Sequence, residues 1–154
     1  IEQIGAYAKG GRITREDIDA VATPQLDAVV FRMTDAIGEG NFDRAASVLG
    51  DLLHMQEAPI KLLSVLGRQL RQLYTARLAI DSGKDKYWLM ELWEMRSDYP
   101  AKLLHQAAKK TTAAWCGDVV TMCQVLDRRM KSEKGIDPAG ELKLLLVRLG
   151  AGRR

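Results

Sequence analysis

The sequence predicts an all-α fold, a helical bundle, and three observations carry that prediction. Leu and Ala together number 38 against 17 for Val and Ile, a bias towards helix formers and away from sheet. Apolar residues recur at spacings of three and four along most of the chain, the period of a one-sided helix. The runs are separated by helix punctuation: Gly at their ends, and Asn, Thr or Pro at their starts. With 154 residues, 47% of them hydrophobic and 28% charged, the composition excludes disorder and suits one domain or a domain plus a fragment. A chain of this mass buries roughly 70% of its unfolded surface. No apolar stretch approaches the ~20 residues a bilayer crossing needs, so no membrane association is expected. No signal-peptide pattern is read, and a chain opening at Ile1 rather than Met is expected to be a piece of a longer protein.

Residues 2–9 read as the end of a helix, with Ile4, Tyr7 and Ala8 on one side and Gly10-Gly11 as its stop. Thr14 opens a short helix with Glu16 and Asp17 in its first turn; Ile13 and Ile18 fit a hydrophobic staple, and Val21 adds a contact. Thr23-Pro24 is expected to break the chain, which divides it into residues 1–22 and 24–154. A helix then runs from Gln25 to about Ile37 on a stripe of Leu26, Val29, Val30, Met33 and Ile37, ended by Gly38 and Gly40. Asn41 caps the next, with Ala45, Val48, Leu49, Leu52 and Leu53 inward. Pro59 starts a long helix to about Asp81, with Ile60, Leu63, Leu66, Leu70, Leu73 and Tyr74 as its stripe and Ser82-Gly83 closing it. Shorter helices are expected over Lys86–Met95 and Ala101–Lys109. Thr111 or Thr112 caps a long helix to about Ser132, with Trp115, Val119, Met122, Leu126 and Met130 on one face. Gly135 stops it, and Asp137-Pro138 opens the last helix, with Leu142, Leu145, Leu146 and Leu149 inward.

Candidates for chemistry are few. His54 and His105 have no second imidazole or Cys at metal-ligand spacing, so no metal and no cofactor is expected. Cys116 and Cys123 lie about 10 Å apart along one helix, too far for a disulfide and without the spacing of a redox pair; they read as small residues in or near the core. Gly38-Glu39-Gly40 lacks the lysine and preceding strand of a phosphate loop and reads as a helix–helix turn. Asp35, Glu39 and Asp43 read as a solvated helix end. No nucleophile–base arrangement is present, so the chain is not expected to be an enzyme.

The basic and aromatic residues point to binding. Arg68, Arg71 and Arg77 lie on the helix after Pro59; Arg71 falls beside the apolar stripe, where its fork suits an internal carboxylate, a helix end or a partner. Arg128, Arg129, Lys131 and Lys134 cluster at the end of the penultimate helix, favourable for its dipole and equally for a phosphate. Arg148, Arg153 and Arg154 add a basic terminus. Trp88 and Trp93, with Leu89, Met90, Leu92 and Met95, make a helix apolar on two sides, one for the core and one for a partner.

The order of these segments is specific where each alone is not. "RITREDIDAVA", "VVFRMTDAIGEGNFDRAASVLGDLL", "EAPIKLLSVLGRQLRQLYTARLA" and "LDRRMKSEKGIDPAGELKLLLVRL" follow one another in a run that resembles the C-terminal part of the delta subunit of bacterial DNA polymerase III, a clamp-loader component. The resemblance spans nearly the whole chain, most strongly residues 13–80 and 126–149; the Trp-rich segment within 84–110 is not assigned to the family. It implies that residues 1–22 are the tail of an AAA+-like helical lid and that residues 24–154 form the collar domain. It further implies a non-catalytic assembly role in the clamp loader of a DNA-directed DNA polymerase (nucleotidyltransferase) holoenzyme, in the bacterial cytoplasm at the nucleoid, during DNA replication. The implied partners are the collar domains of the ATPase and delta-prime subunits and primed DNA; the sliding clamp would be reached only through an N-terminal domain not contained in this chain. Interface anchors are expected among Arg68, Arg71, Arg77, Trp88 and Trp93, and DNA-proximal residues among Arg128, Lys131 and Lys134, with Lys131 and Lys134 in the loop before the last helix. The alternative is a free-standing helical nucleic-acid-binding module, which a net charge of +3 with one local basic cluster supports less well.

Overall fold

The computed structural model describes residues 15–152, with side chains from Gln25 onward. Within them the chain forms seven helices and no strand: α1 (Arg15–Glu39), α2 (Phe42–His54), α3 (Pro59–Asp81), α4 (Lys86–Leu92), α5 (Asp98–Lys109), α6 (Ala113–Ser132) and α7 (Pro138–Gly152). The expected elements at Ile4–Gly11, the Thr14 cap and the Ile13–Ile18 staple, and the basic residues Arg153 and Arg154, lie outside what is described.

The central element is α3. It packs most extensively along α6 and α5 and also meets α1, α4 and α7. It therefore buries more than one stripe: Leu62 and Leu63, Leu66 and Gly67, Leu70, Leu73, Ala76 and Ala79 are all inside. Ile60, expected on the stripe, is instead exposed, while Leu62, not expected there, is buried. On the other helices the expected stripes are buried much as spaced: Leu26, Val30, Met33 and Ile37; Ala45, Leu49 and Leu52; Trp115, Val119 and Leu126; and all four leucines of α7.

The layer between α1 and α3 contains a polar bridge that the hydrophobic pattern does not announce. Thr34 and Gln69 are both buried. The Thr34 hydroxyl donates to Gln69 Oε1 at 2.8 Å, and Gln69 Nε2 donates to the Asp27 carbonyl at 2.9 Å. Each buried group thus finds a partner, which offsets its desolvation.

The first four helix stops follow one geometry. After α1, α2, α3 and α4 the chain closes with a paired backbone motif, for example Lys84 N–H to the Ala79 carbonyl and Gly83 N–H to the Ile80 carbonyl. The left-handed position of this motif is glycine at Gly40 and Gly83, as expected, but Gln56 and Glu94 fill it with φ of 63° and 50°. Glu94 is why α4 ends at Leu92 rather than at the expected Met95: the chain turns left-handed there without a glycine to mark it. Helix starts are capped by side chains: Asn41 accepts from the Arg44 N–H, Asp85 from Tyr87 and Trp88, Ser97 from Tyr99, and Thr112 from Trp115. Ser97 draws the start of α5 back to Asp98, ahead of the expected Ala101, so Pro100 sits within the first turn.

The break expected at Thr23-Pro24 is not there. α1 runs unbroken through both residues. Pro24 withholds one backbone N–H, but a single lost ladder bond does not end a helix that propagates on both sides.

Candidate functional site: interaction surfaces

The three arginines of α3 have three different fates. Arg77 is committed to the fold. Its guanidinium lies against α5, with Nη1 donating to the Ala108 and Thr111 carbonyls at 3.3 and 3.2 Å, and it also pairs with Asp81 one turn along. Its side chain is only 18% exposed. It closes the C-terminal end of α5, where unpaired carbonyls attract a cation. The hydrogen bond from Arg77 holds the Asp81 carboxyl below its usual range, and Asp81 raises Arg77 in return. Arg68 Nη2 stands 2.7 Å from Asp27 Oδ1 on α1, a half-exposed ion pair across a groove lined by Phe31, Gln72, Met95 and Leu104. Arg71 is exposed and makes no ion pair among the described residues.

Arg71 lies back along its own helix. Its Nη1 is 3.4 Å from where a side chain on Gly67 would begin, so the absence of a Cβ gives the guanidinium its place. Gly67 faces Cys123, and further along Tyr74 faces Gly117, so α3 and α6 run antiparallel. Between them a groove of about 240 Å³ is lined by Ser64, Arg71, Gln124, Asp127 and Lys131, with Leu63 and Cys123 at its base. Burial pushes the Cys123 thiol up to about 12, against the opposing pull of the Arg71 charge. Cys123 is therefore a packing residue rather than a nucleophile. Cys116 is buried too, its thiol 3.3 Å from the Thr111 hydroxyl.

The basic cluster at the end of α6 divides in the same way. Arg129, half-buried, ties α6 to α7: it donates to Glu133 and, through Nη1 and Nη2, to both oxygens of Glu141 at 3.2 Å. Lys131 pairs with Asp127 at 2.8 Å and sits in the last turn of α6, not in the following loop. Arg128 and Lys134 are exposed, and neither forms an ion pair among the described residues. The acidic group at the α1–α2 junction is a solvated helix end with cationic neighbours: Arg44 lies 3.7 and 3.6 Å from Asp35 and Glu39, and Lys110 Nζ lies 3.1 Å from Glu39.

Among the described residues, α4 and α7 each expose neighbouring large apolar side chains. On α4, Leu89 is fully buried and Trp93 is partly buried against the core, while Trp88 (37%) and Leu92 (48%) face outward together with Tyr87. Trp88 and Trp93 thus differ in exposure, and Met95, spaced to share a side with Trp88 and Leu92, instead packs against the core beyond the end of the helix. α4 is docked to α5 by Lys86 Nζ donating to Asp98 at 2.9 Å. The second surface is on α7, where Leu144 and Val147 are exposed, Val147 bordering a groove of about 410 Å³ shared with Phe42, Ala46 and Leu49 of α2. Hydrophobic spacing did not reveal this surface, because the α7 leucines read as one inward stripe.

His54 is exposed at the end of α2 and His105 is partly buried in α5. Among the described residues no three His, Cys, Asp or Glu side chains are grouped to hold a metal ion, and no helix is long and apolar enough to cross a membrane.

The described residues thus form an all-helical domain organised on one central helix, with several charged groups joining helices and apolar residues exposed on α4 and α7. The sequence matches the family model described as the DNA polymerase III delta subunit, C-terminal domain, over residues 27–149, and the chain belongs to that family. Among solved structures, the Bacillus subtilis DNA clamp loader delta protein (YqeN) has a similar fold, with a TM-score of 0.75 and 20% sequence identity over 97% of this chain. The chain spans 44% of the length of that protein. No curated protein has a significantly similar sequence.

Proposed function

We propose that this chain is the collar-type assembly domain of a clamp-loader delta subunit: it joins neighbouring loader subunits and performs no chemistry itself. The observation that carries the reading is the family match over residues 27–149, which begins close to the proposed start of the collar at residue 24. The partners are the collar domains of the ATPase and delta-prime subunits, and the parent complex serves a replicative DNA polymerase in the bacterial cytoplasm. Residues 1–22 are the tail of a lid domain. The boundary then falls inside α1, so lid and collar are joined by a continuous helix rather than by a flexible linker.

The uncovered faces of α4 and α7 supply the apolar anchors an interface needs, with Trp88 and Leu92 on one and Leu144 and Val147 on the other. Arg68 borders a groove that Met95, three residues past the end of α4, also lines. Arg77 contributes by holding α5 in position rather than by touching a partner. Arg128, Lys131 and Lys134 form the side of the domain turned to primed DNA.

Co-sedimentation of the chain with the ATPase and delta-prime subunits of one bacterial clamp loader, without DNA, tests this reading. A stable complex is expected, lost in Leu92→Glu or Val147→Glu, both of which alter exposed positions and leave the fold intact. If no complex forms and the chain alone binds DNA in a salt-sensitive way, it is a free-standing nucleic-acid module instead.

A further inference from the structure

We propose that the groove between α3 and α6 is an oxyanion site that takes the phosphate groups of a phosphodiester chain, with Arg71 as its clamp. The first reason is the state of Arg71. Arg68 and Arg77 on the same helix have carboxylate or carbonyl partners, while Arg71 has no such partner among the described residues and lies over Gly67 in a preformed pocket. A planar guanidinium presents a fork that matches an oxyanion with two parallel hydrogen bonds.

The second reason is the lining. Ser64 and Gln124 add neutral hydrogen-bonding groups, and Lys131 adds a second cation that Asp127 neutralises only once. The groove's charge is therefore positive by one: Arg71 and Lys131 against Asp127. Its volume of about 240 Å³ admits a phosphate group. Beyond it, Arg128 and Lys134 stand exposed without ion pairs among the described residues, on and just after the same helix. The third reason is what the groove lacks. Only Leu63 and the buried Cys123 are apolar in its lining, so a peptide side chain finds no hydrophobic anchor there. A ligand with repeated charges and little apolar surface fits; a folded protein partner fits the α4 and α7 faces better. This assignment extends the basic surface at the end of α6 and moves Arg71 from the subunit interface to that surface, but it needs no partner subunit to be complete.

The test uses the chain alone and a short fluorescent oligothymidylate, with affinity measured at rising salt. Arg71→Ala is expected to weaken binding about tenfold and to lower the salt slope by about one. Gln124→Glu, which places a carboxylate in the groove to compete for Arg71, is expected to weaken it comparably while leaving the fold unchanged. Lys84→Ala, beyond the far end of α3, is expected to change little. Inorganic phosphate is expected to bind the same groove far more weakly than the oligonucleotide. Unchanged affinity and slope in Arg71→Ala overturn the proposal. So does equal affinity for inorganic phosphate, which would make this a site for a single free ion. An oligoglutamate peptide that binds as tightly and depends equally on Arg71 would show that the groove reads a protein carboxylate. If Arg71→Ala blocks assembly with loader subunits but not oligonucleotide binding, the phosphate site fails while the assembly reading stands.

Discussion

The middle and the C-terminal end of α3 use the same residue type for opposite purposes. At the α5 junction Arg77 is mostly buried and bonds two carbonyls and a carboxylate; in the α6 groove, which Ser64, Gln124, Asp127 and Lys131 also line, Arg71 is exposed and makes no ion pair among the described residues. Neither residue type nor helix accounts for the difference. What differs is the neighbour that α3 meets: the C-terminal end of a helix, rich in unpaired carbonyls, at one position, and the flank of a helix at the other. One contact stabilises the fold, and the other leaves a charge available for a ligand.

Mutation of the three arginines grades this contrast. Arg77→Ala is expected to have the largest effect, a loss of about 2 kcal/mol in chemical denaturation, because it removes a mostly buried guanidinium that joins α3 to the Thr111 and Ala108 carbonyls at the end of α5. If Arg77→Ala is neutral, Arg77 is not the fastening that holds α5. Lowering the pH separates the same two regions. Asp81 has a folded pKa below its ordinary value of about 3.8, so its pairing stabilises the fold fully above that value and is lost as pH falls through the lower folded value. Asp98, lowered by Lys86, acts in the same direction. An Asp81→Asn chain should therefore show a shallower loss of stability in acid, read by thermal unfolding between neutral pH and pH about 3.

Arg68→Ala comes next, at no more than about 1 kcal/mol, since its ion pair with Asp27 is half-exposed. Arg71→Ala is expected within about 0.5 kcal/mol of the unaltered chain, and a large loss would show that it braces α6. The smallest effect is a gain. Gln124→Glu gives Arg71 the carboxylate it lacks, with an expected stabilisation of about 0.3 kcal/mol in low salt that vanishes in high salt.

Much of the architecture was legible because helices are local objects. The stripe of α7, the caps at Asn41 and Thr112 and the stops at Gly40 and Gly83 depend on residues within a few positions of one another, whereas α6 ends at Ser132 on an extended Glu133, ahead of the expected stop at Gly135. Where a local signal was missing or outweighed, the reading failed. Gln56 and Glu94 turn left-handed without being glycine, and Pro24 is carried through a helix it was expected to end. The family was legible from the order of segments, which survives where the separate motifs are unspecific.

The sequence by itself determined the all-helical class, the helices from α2 to α7, most of their core-facing residues and the family, but split α1 in two at Pro24. Tertiary structure alone decided which charges are spent. Arg129 reaches Glu141 across a helix boundary, Thr34 reaches Gln69 over 35 residues, and Arg77 reaches Thr111 over 34. It also decided which apolar residues stay outside: Leu92 and Val147 lie on helices with buried leucines yet are themselves exposed among the described residues. The physical reason is range. Helix propensity and capping act over one or two turns, whereas the partner of a charge or of an apolar face is set by which distant helix the folded chain brings alongside it.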